Sequence, residues 1–155
     1  MFFATQIENV QVYSFEPIKD TYNILMKNIE INNLQDKVCA YNCACGAEAG
    51  NGSVVSYDPY DTGGTSIEKN AGGKLHIVRI DDVIKCQSVD FIKIDVEGFE
   101  YDILLGAENI LKTYSPTIFI EIFEQNKKKV IALLHTFSYK CVEDLGDDNY
   151  IFMKI

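Results

Sequence analysis

The sequence predicts one α/β domain built as a doubly wound, mostly parallel sheet, and three observations carry the prediction. Apolar extended runs alternate with segments of helical period from residue 10 to residue 136, the pattern of strands connected by crossover helices. The run Thr117-Ile118-Phe119-Ile120-Glu121-Ile122 is almost continuously apolar, as expected of a strand covered on both faces. Residues 137–155 read as two strands around Gly146-Asp147-Asp148, an antiparallel hairpin closing one edge. With 155 residues and 47% hydrophobic content, the chain suits a single domain over residues 1–155 with its own core.

Taken in order, residues 1–5 read as the tail of a helix. Residues 10–15 alternate and are rich in strand formers, and Pro17 cannot continue a ladder. Asp20 is placed to cap the next helix, in which Tyr22, Leu25, Met26 and Ile29 recur at helical spacing before Asn32-Asn33. Residues 38–44 and 53–57 read as strands, and the Gly/Asp-rich residues 58–73 as a long loop. Loops of that length in compact domains are usually functional. Residues 75–80 are extended, 81–84 make a helical turn, and 89–94 form a strand. A helix over 101–114 turns Ile103, Leu104, Ala107, Ile110 and Leu111 inward and stops before Pro116. A last helix covers 127–136.

Composition narrows the partners. Against 14 basic residues stand 23 acidic ones, a formal net charge of -9, and neither nucleic acid nor an anionic membrane surface is held without clustered Lys and Arg. The run Lys127-Lys128-Lys129 reads as a solvated helix face. No apolar stretch approaches the 18 or more residues of a spanning helix, and residues 1–6 lack a positive leader region. Five cysteines, an odd and sparse set, fit a reducing compartment, so the expected location is cytoplasmic. Cys39, Cys43 and Cys45 share strand parity, and neither His76 nor His135 completes a finger-like spacing, so no metal is expected there.

The densest chemistry lies at residues 91–100. The strand Phe91-Ile92-Lys93-Ile94 gives way to Asp95, Glu97 and Glu100 around Gly98, where a helix takes over. In open α/β sheets ligands bind beyond the carboxyl ends of the strands, so acids stand where a site is expected. Asp95 and Glu97 share a face in an extended chain, and Lys93 shares their parity and can pair with them. Acids in the first turn of a helix are also favoured by its dipole, which by itself would account for Glu100. Three carboxylates could equally hold a divalent cation through oxygen ligands.

Several of these stretches together resemble the FkbM family of S-adenosylmethionine-dependent methyltransferases. They are Val12-Tyr13-Ser14-Phe15-Glu16-Pro17, residues 28–33, Ile92-Lys93-Ile94-Asp95-Val96-Glu97-Gly98-Phe99-Glu100, Leu105-Gly106-Ala107-Glu108 and residues 116–121. The match covers residues 10–122, and its Lys-x-Asp-x-Glu-Gly-x-Glu element between a strand and a helix is specific. The resemblance implies a Rossmann-like class I methyltransferase fold and transfer of a methyl group to a hydroxyl of a sugar or small metabolite. It implies that Glu16 and Pro17 contact the cofactor S-adenosylmethionine, with Asn42, Cys43 and Ala44 passing its adenine. Asp95 or Glu97 would be the catalytic base, with Lys93 tuning the cluster. Glu121, ending the next strand on the same rim, and the hydroxyls of Thr65 and Ser66 would bind the small-molecule or glycan acceptor.

The sequence departs from the family at its beginning. A Gly-rich turn should precede the ribose acid by roughly 20 residues, but only fifteen residues precede Glu16 and residues 1–9 contain no glycine. An N-terminally truncated domain is therefore expected, lacking its first strand and open to a partner strand or a second copy. The alternative reading is a non-catalytic, methyltransferase-like domain that binds a glycan or a partner protein.

Overall fold

The computed structural model of the protein describes residues 2–56 and 66–155. Among them the chain runs α1 (Phe2–Gln6), β1 (Val12–Phe15), α2 (Lys19–Ile31), β2 (Val38–Tyr41), β3 (Ala44–Cys45), β4 (Gly50–Ser56), β5 (Ser66–Lys69), β6 (Leu75–Val78), α3 (Ile80–Val83), β7 (Phe91–Ile94), α4 (Glu100–Gly106), α5 (Glu108–Tyr114), β8 (Thr117–Glu121), α6 (Glu124–Thr136), β9 (Tyr139–Gly146) and β10 (Asn149–Lys154).

The α/β class is as expected, but the strands form mixed sheets where one mostly parallel sheet was predicted. Parallel pairing links β1 to β2, β7 to β8 and β3 to β6. Strand β8 then joins β10, and β10 joins β9, both antiparallel, giving the order β7-β8-β10-β9. A separate sheet has the order β3-β6-β4-β5, with β4 antiparallel to both of its neighbours. The expected C-terminal hairpin is therefore present as β9–β10. Among the described residues β1 bonds only β2 and β7 bonds only β8, so one edge of each carries unpaired backbone groups.

Two predicted elements are divided in the structure. The strand expected over 38–44 turns at Asn42 and Cys43, and its end, β3, enters the other sheet. The helix expected over 101–114 breaks at Ala107, whose φ of -110° is not helical. That break has a cause: Asp81 of α3 reaches across and accepts the N–H groups of Asn109 and Ile110 at 2.9 and 3.1 Å, capping α5 from another element. Nearby, α4 approaches the residue after β3 so closely that a Cβ on Gly106 would lie 2.1 Å from the Gly46 carbonyl oxygen. Within the predicted long loop, residues 66–69 are strand β5, paired with β4. Asp20 does not cap α2. The N-cap is Ile18, whose N–H is instead accepted by Glu16 at 2.7 Å.

The main core lies between the β7–β8–β10 strands and the helices α4, α5 and α6. Ile94, Ile118, Ile120, Ile122, Leu104, Leu111, Val130, Leu134, Tyr139 and Phe152 are buried in it. All five inward residues predicted for 101–114 are buried. A smaller cluster of Ala4, Ile29, Leu34 and Val38 packs α1 and α2 on β1–β2, while Met26, expected inside, is exposed. No helix is long and apolar enough to cross a membrane among the described residues.

Candidate functional site

Strands β7 and β8 are parallel and in register, with Lys93 opposite Phe119 and Ile94 opposite Ile120. One residue further along, each strand presents an acid, Asp95 on one and Glu121 on the other. Two runs of four residues, Phe91-Ile92-Lys93-Ile94 and Thr117-Ile118-Phe119-Ile120, thus deliver two carboxyl groups to one point on the rim. Asp95 and Glu121 lie side by side on this rim, close enough for each carboxyl to shift the titration of the other.

Their surroundings drive them apart. Lys93 donates to Asp95 Oδ2 at 2.5 Å, and this bond holds the Asp95 carboxyl below the usual carboxylate range. Glu121 moves the other way, first through the adjoining Asp95 carboxyl, then through burial, and then through the nearby charges of Asp95, Glu97 and Asp148. A pair sharing one proton, one member stabilised as the anion and the other as the acid, titrates as a unit. The expected ion pair of Lys93 with Asp95 is therefore formed. It sits half exposed on the rim, with the Lys93 ammonium also 5.9 Å from the centre of the Phe119 ring.

Glu97 is half-buried next to this pair, but Glu100 is not on the rim at all. Its side chain is fully buried, bonded to the Gly98 N–H at 2.9 Å and to the Asn126 amide at 2.7 Å. The grouping of three acids around the glycine is thereby corrected: two face the rim, and the third turns into the core. Among the described residues no group of three or more His, Cys, Asp or Glu side chains is arranged to hold a metal ion.

A second rim lies at the carboxyl ends of β1 and β2. Glu16 follows β1, and its Oε1 accepts the Ile18 N–H. Burial raises the Glu16 carboxyl above its ordinary range, and the Ile18 N–H partly offsets that effect. Asn42 follows β2 and donates its amide to the carbonyls of Glu16 and Pro17 at 2.9 and 3.1 Å. Phe15 and Tyr41 stack beneath, with ring centroids 5.1 Å apart. Glu16, Pro17 and Asn42, expected together from the sequence, are thus in contact, whereas Cys43 and Ala44 are buried beneath the rim. Ser66 opens β5, in the β3-β6-β4-β5 sheet that carries neither rim, and Thr65 lies outside the described residues.

The sequence reasoning had no place for Asn126 or for the Asp95–Glu121 contact. A usable signal existed for the contact, since both apolar runs of four end in an acid. Asn126 carried none, because its partners are 26 and 28 residues away.

A family model described as the Methyltransferase FkbM domain matches residues 2–141. The crystal structure of methyltransferase FkbM from Methylobacillus flagellatus KT superposes with a TM-score of 0.61 at 20% identity, over 92% of this chain and 36% of that one. At that identity the likeness is one of fold, and this chain spans about a third of the length of that protein. No curated protein matches the chain. With a family match over nearly all of its length and a shared fold, the chain belongs to the FkbM methyltransferase domain family.

Proposed function

We propose that the chain serves S-adenosylmethionine-dependent O-methylation of a hydroxyl on a sugar or other small metabolite. The observation that carries this reading is the split carboxyl pair Asp95–Glu121 at the ends of two adjacent parallel strands. A hydroxyl becomes a competent nucleophile as its proton leaves, and a base works best when its pKa lies close to the working pH. Glu121, moved upward, is therefore the better proton acceptor of the two, and Asp95, kept ionised by Lys93, orients the acceptor hydroxyl. This gives Glu121 the role that the sequence reading assigned to Asp95 or Glu97. Glu97 then acts through its charge.

The residues of the β1–β2 rim suit the cofactor in part. A carboxylate has about four acceptor sites, so Glu16 retains capacity for ribose hydroxyls beyond its bond to Ile18. Both amide hydrogens of Asn42 are already used on backbone carbonyls, so its part is to fix the Glu16-Pro17 turn. When bound, S-adenosylmethionine supplies a methyl group on a sulfonium, a leaving group that needs no protonation. Glu16 would hold the cofactor's ribose, the cofactor would supply the methyl group, and Glu121 would take up the proton given up by the acceptor hydroxyl. A cytoplasmic setting suits five unpaired thiols. The edges of β1 and β7 that are open among the described residues support recruitment of a further strand, from a partner chain or a second copy.

Calorimetric titration with S-adenosylmethionine, run beside Glu16→Ala, tests the reading. A heat of binding that vanishes in the variant is expected. At about 100 times the dissociation constant the ligand should add about 2.7 kcal/mol of stability and raise Tm by about 5–10 °C. Binding unaffected by Glu16→Ala, or no binding at all, would overturn it. Light scattering on the same sample should report a mass above the 17.5 kDa of one chain if a strand is recruited from a second copy.

A further inference from the structure

The turn between β7 and α4 is held in an unusual way. Gly98 has a φ of +89°, a conformation that side chains disfavour, and it lies between Glu97 and the start of α4. Its N–H is shared between the Val96 carbonyl at 3.0 Å and Glu100 Oε1 at 2.9 Å. Its carbonyl accepts from the Asn126 amide at 3.1 Å, and the same amide donates to Glu100 Oε2 at 2.7 Å. Both backbone polar groups of one residue are thus gripped by a single buried Glu–Asn pair. Glu100 is fully buried and Asn126 is 7% exposed.

Such a pair is a costly way to fill a core. A carboxyl group whose partners are neutral donors loses hydration that two amide hydrogen bonds restore incompletely, and a well-packed apolar pair of similar volume would stabilise as well or better. What the polar pair supplies is direction. It fixes the turn and ties it to α6.

We propose that Glu100 and Asn126 form a positioning clasp that sets Glu97 against the Asp95–Glu121 pair. Its relevance to catalysis rests on the function proposed above, but the arrangement is testable without cofactor or acceptor. Among the described residues the charged groups that face Glu121 are Asp95 and Glu97 from the β7 side and Asp148 from the β9–β10 turn, with Lys93 acting through Asp95. If the clasp positions Glu97, opening it withdraws one of those charges.

Carbon-detected NMR titration of the Glu121 carboxyl reads this directly in the whole chain. Glu97→Gln should lower the Glu121 midpoint, Asn126→Ala should lower it by a similar amount, and the double variant should show no further fall. Leu134→Val, a destabilising change in the core face of the same helix, should lower Tm and leave the midpoint unmoved. Glu100→Gln keeps the shape of the clasp while removing its acceptor for Asn126, and it serves in place of Asn126→Ala if that variant does not fold. An unmoved midpoint in the clasp variants would overturn the proposal, as would shifts that add in full to that of Glu97→Gln. Loss of cofactor binding with these shifts intact would count against the proposed function and leave the clasp standing.

Discussion

The β7–β8 and β1–β2 pairs are both parallel, and each ends in a polar rim followed by a helix or a turn, yet they are secured by different means. Strand β8 has a neighbour on each side, and the pair rests on the main core with Ile94, Ile118 and Ile120 buried beneath it. Among the described residues strands β1 and β2 bond only each other, every residue of β1 is half-buried, and four buried side chains make up their own cluster. The acid rim is accordingly placed by register and packing. The Glu16 rim is placed by local bonds, with Asn42 clamping two carbonyls and Glu16 holding the start of α2. Regions with few buried apolar contacts open at lower free energy than the core, which suits a surface that closes on a ligand.

Overpacking the main core gives the largest test of this difference. In Gly106→Ala the new Cβ meets the Gly46 carbonyl at 2.1 Å, a backbone atom that cannot swing aside. A cost of about 3 kcal/mol is expected, with a fall in Tm of about 6–12 °C in thermal melts. Amide exchange should quicken most in α4, β7 and β8. An equal acceleration across β1 and β2 would show that the two regions open as one unit and would break the comparison.

Asn42→Ala probes the other rim with a smaller effect. Two hydrogen bonds to the carbonyls of Glu16 and Pro17 disappear, at a cost of about 1–2 kcal/mol. Exchange of the Ile18 N–H should rise while the Glu121 carboxyl titrates as before. A shift in Glu121 would mean that the two rims are coupled, and the comparison would have to be redrawn.

How much of this was legible in the sequence depended on how local the cause was. The run over residues 117–122 was readable because its burial on both faces is written in its own side chains, and so were the five inward positions of 101–111. Asn42 was placed with Glu16, but not as the point where one strand becomes two, because that turn exists only once Ala44 and Cys45 find β6. Residues 66–69, Ser-Ile-Glu-Lys, lack any strong pattern, and their strand is imposed by β4. The helix break at Ala107 is set by Asp81, 28 residues from Asn109. Glu100 was grouped with the rim acids because it stands where the strand gives way to a helix, while its burial follows from a partner on α6. Pairwise contacts across elements were thus the missing information, and the acid pair itself is one of them.

The smallest effect separates the two carboxyl groups of that pair. Glu121 has its pKa raised in the folded chain, so its contribution to stability is full below the ordinary glutamate pKa and is lost as pH rises through the folded value. Asp95 has its pKa lowered, so its contribution is present above the ordinary aspartate pKa and is lost as pH falls through the folded value. Glu121→Gln keeps a group able to donate to Asp95 and removes the ionisation. The variant should therefore gain on the wild type as pH is raised from about 4 to 7, by less than about 1 kcal/mol because the pair lies on a solvated rim. Denaturant midpoints measured across that range check the sign. A gain toward low pH instead would place the shared proton on Asp95 and reverse the roles of base and anchor. On the proposed reading, methyl transfer should also climb with pH through the Glu121 titration and lose that dependence in the variant.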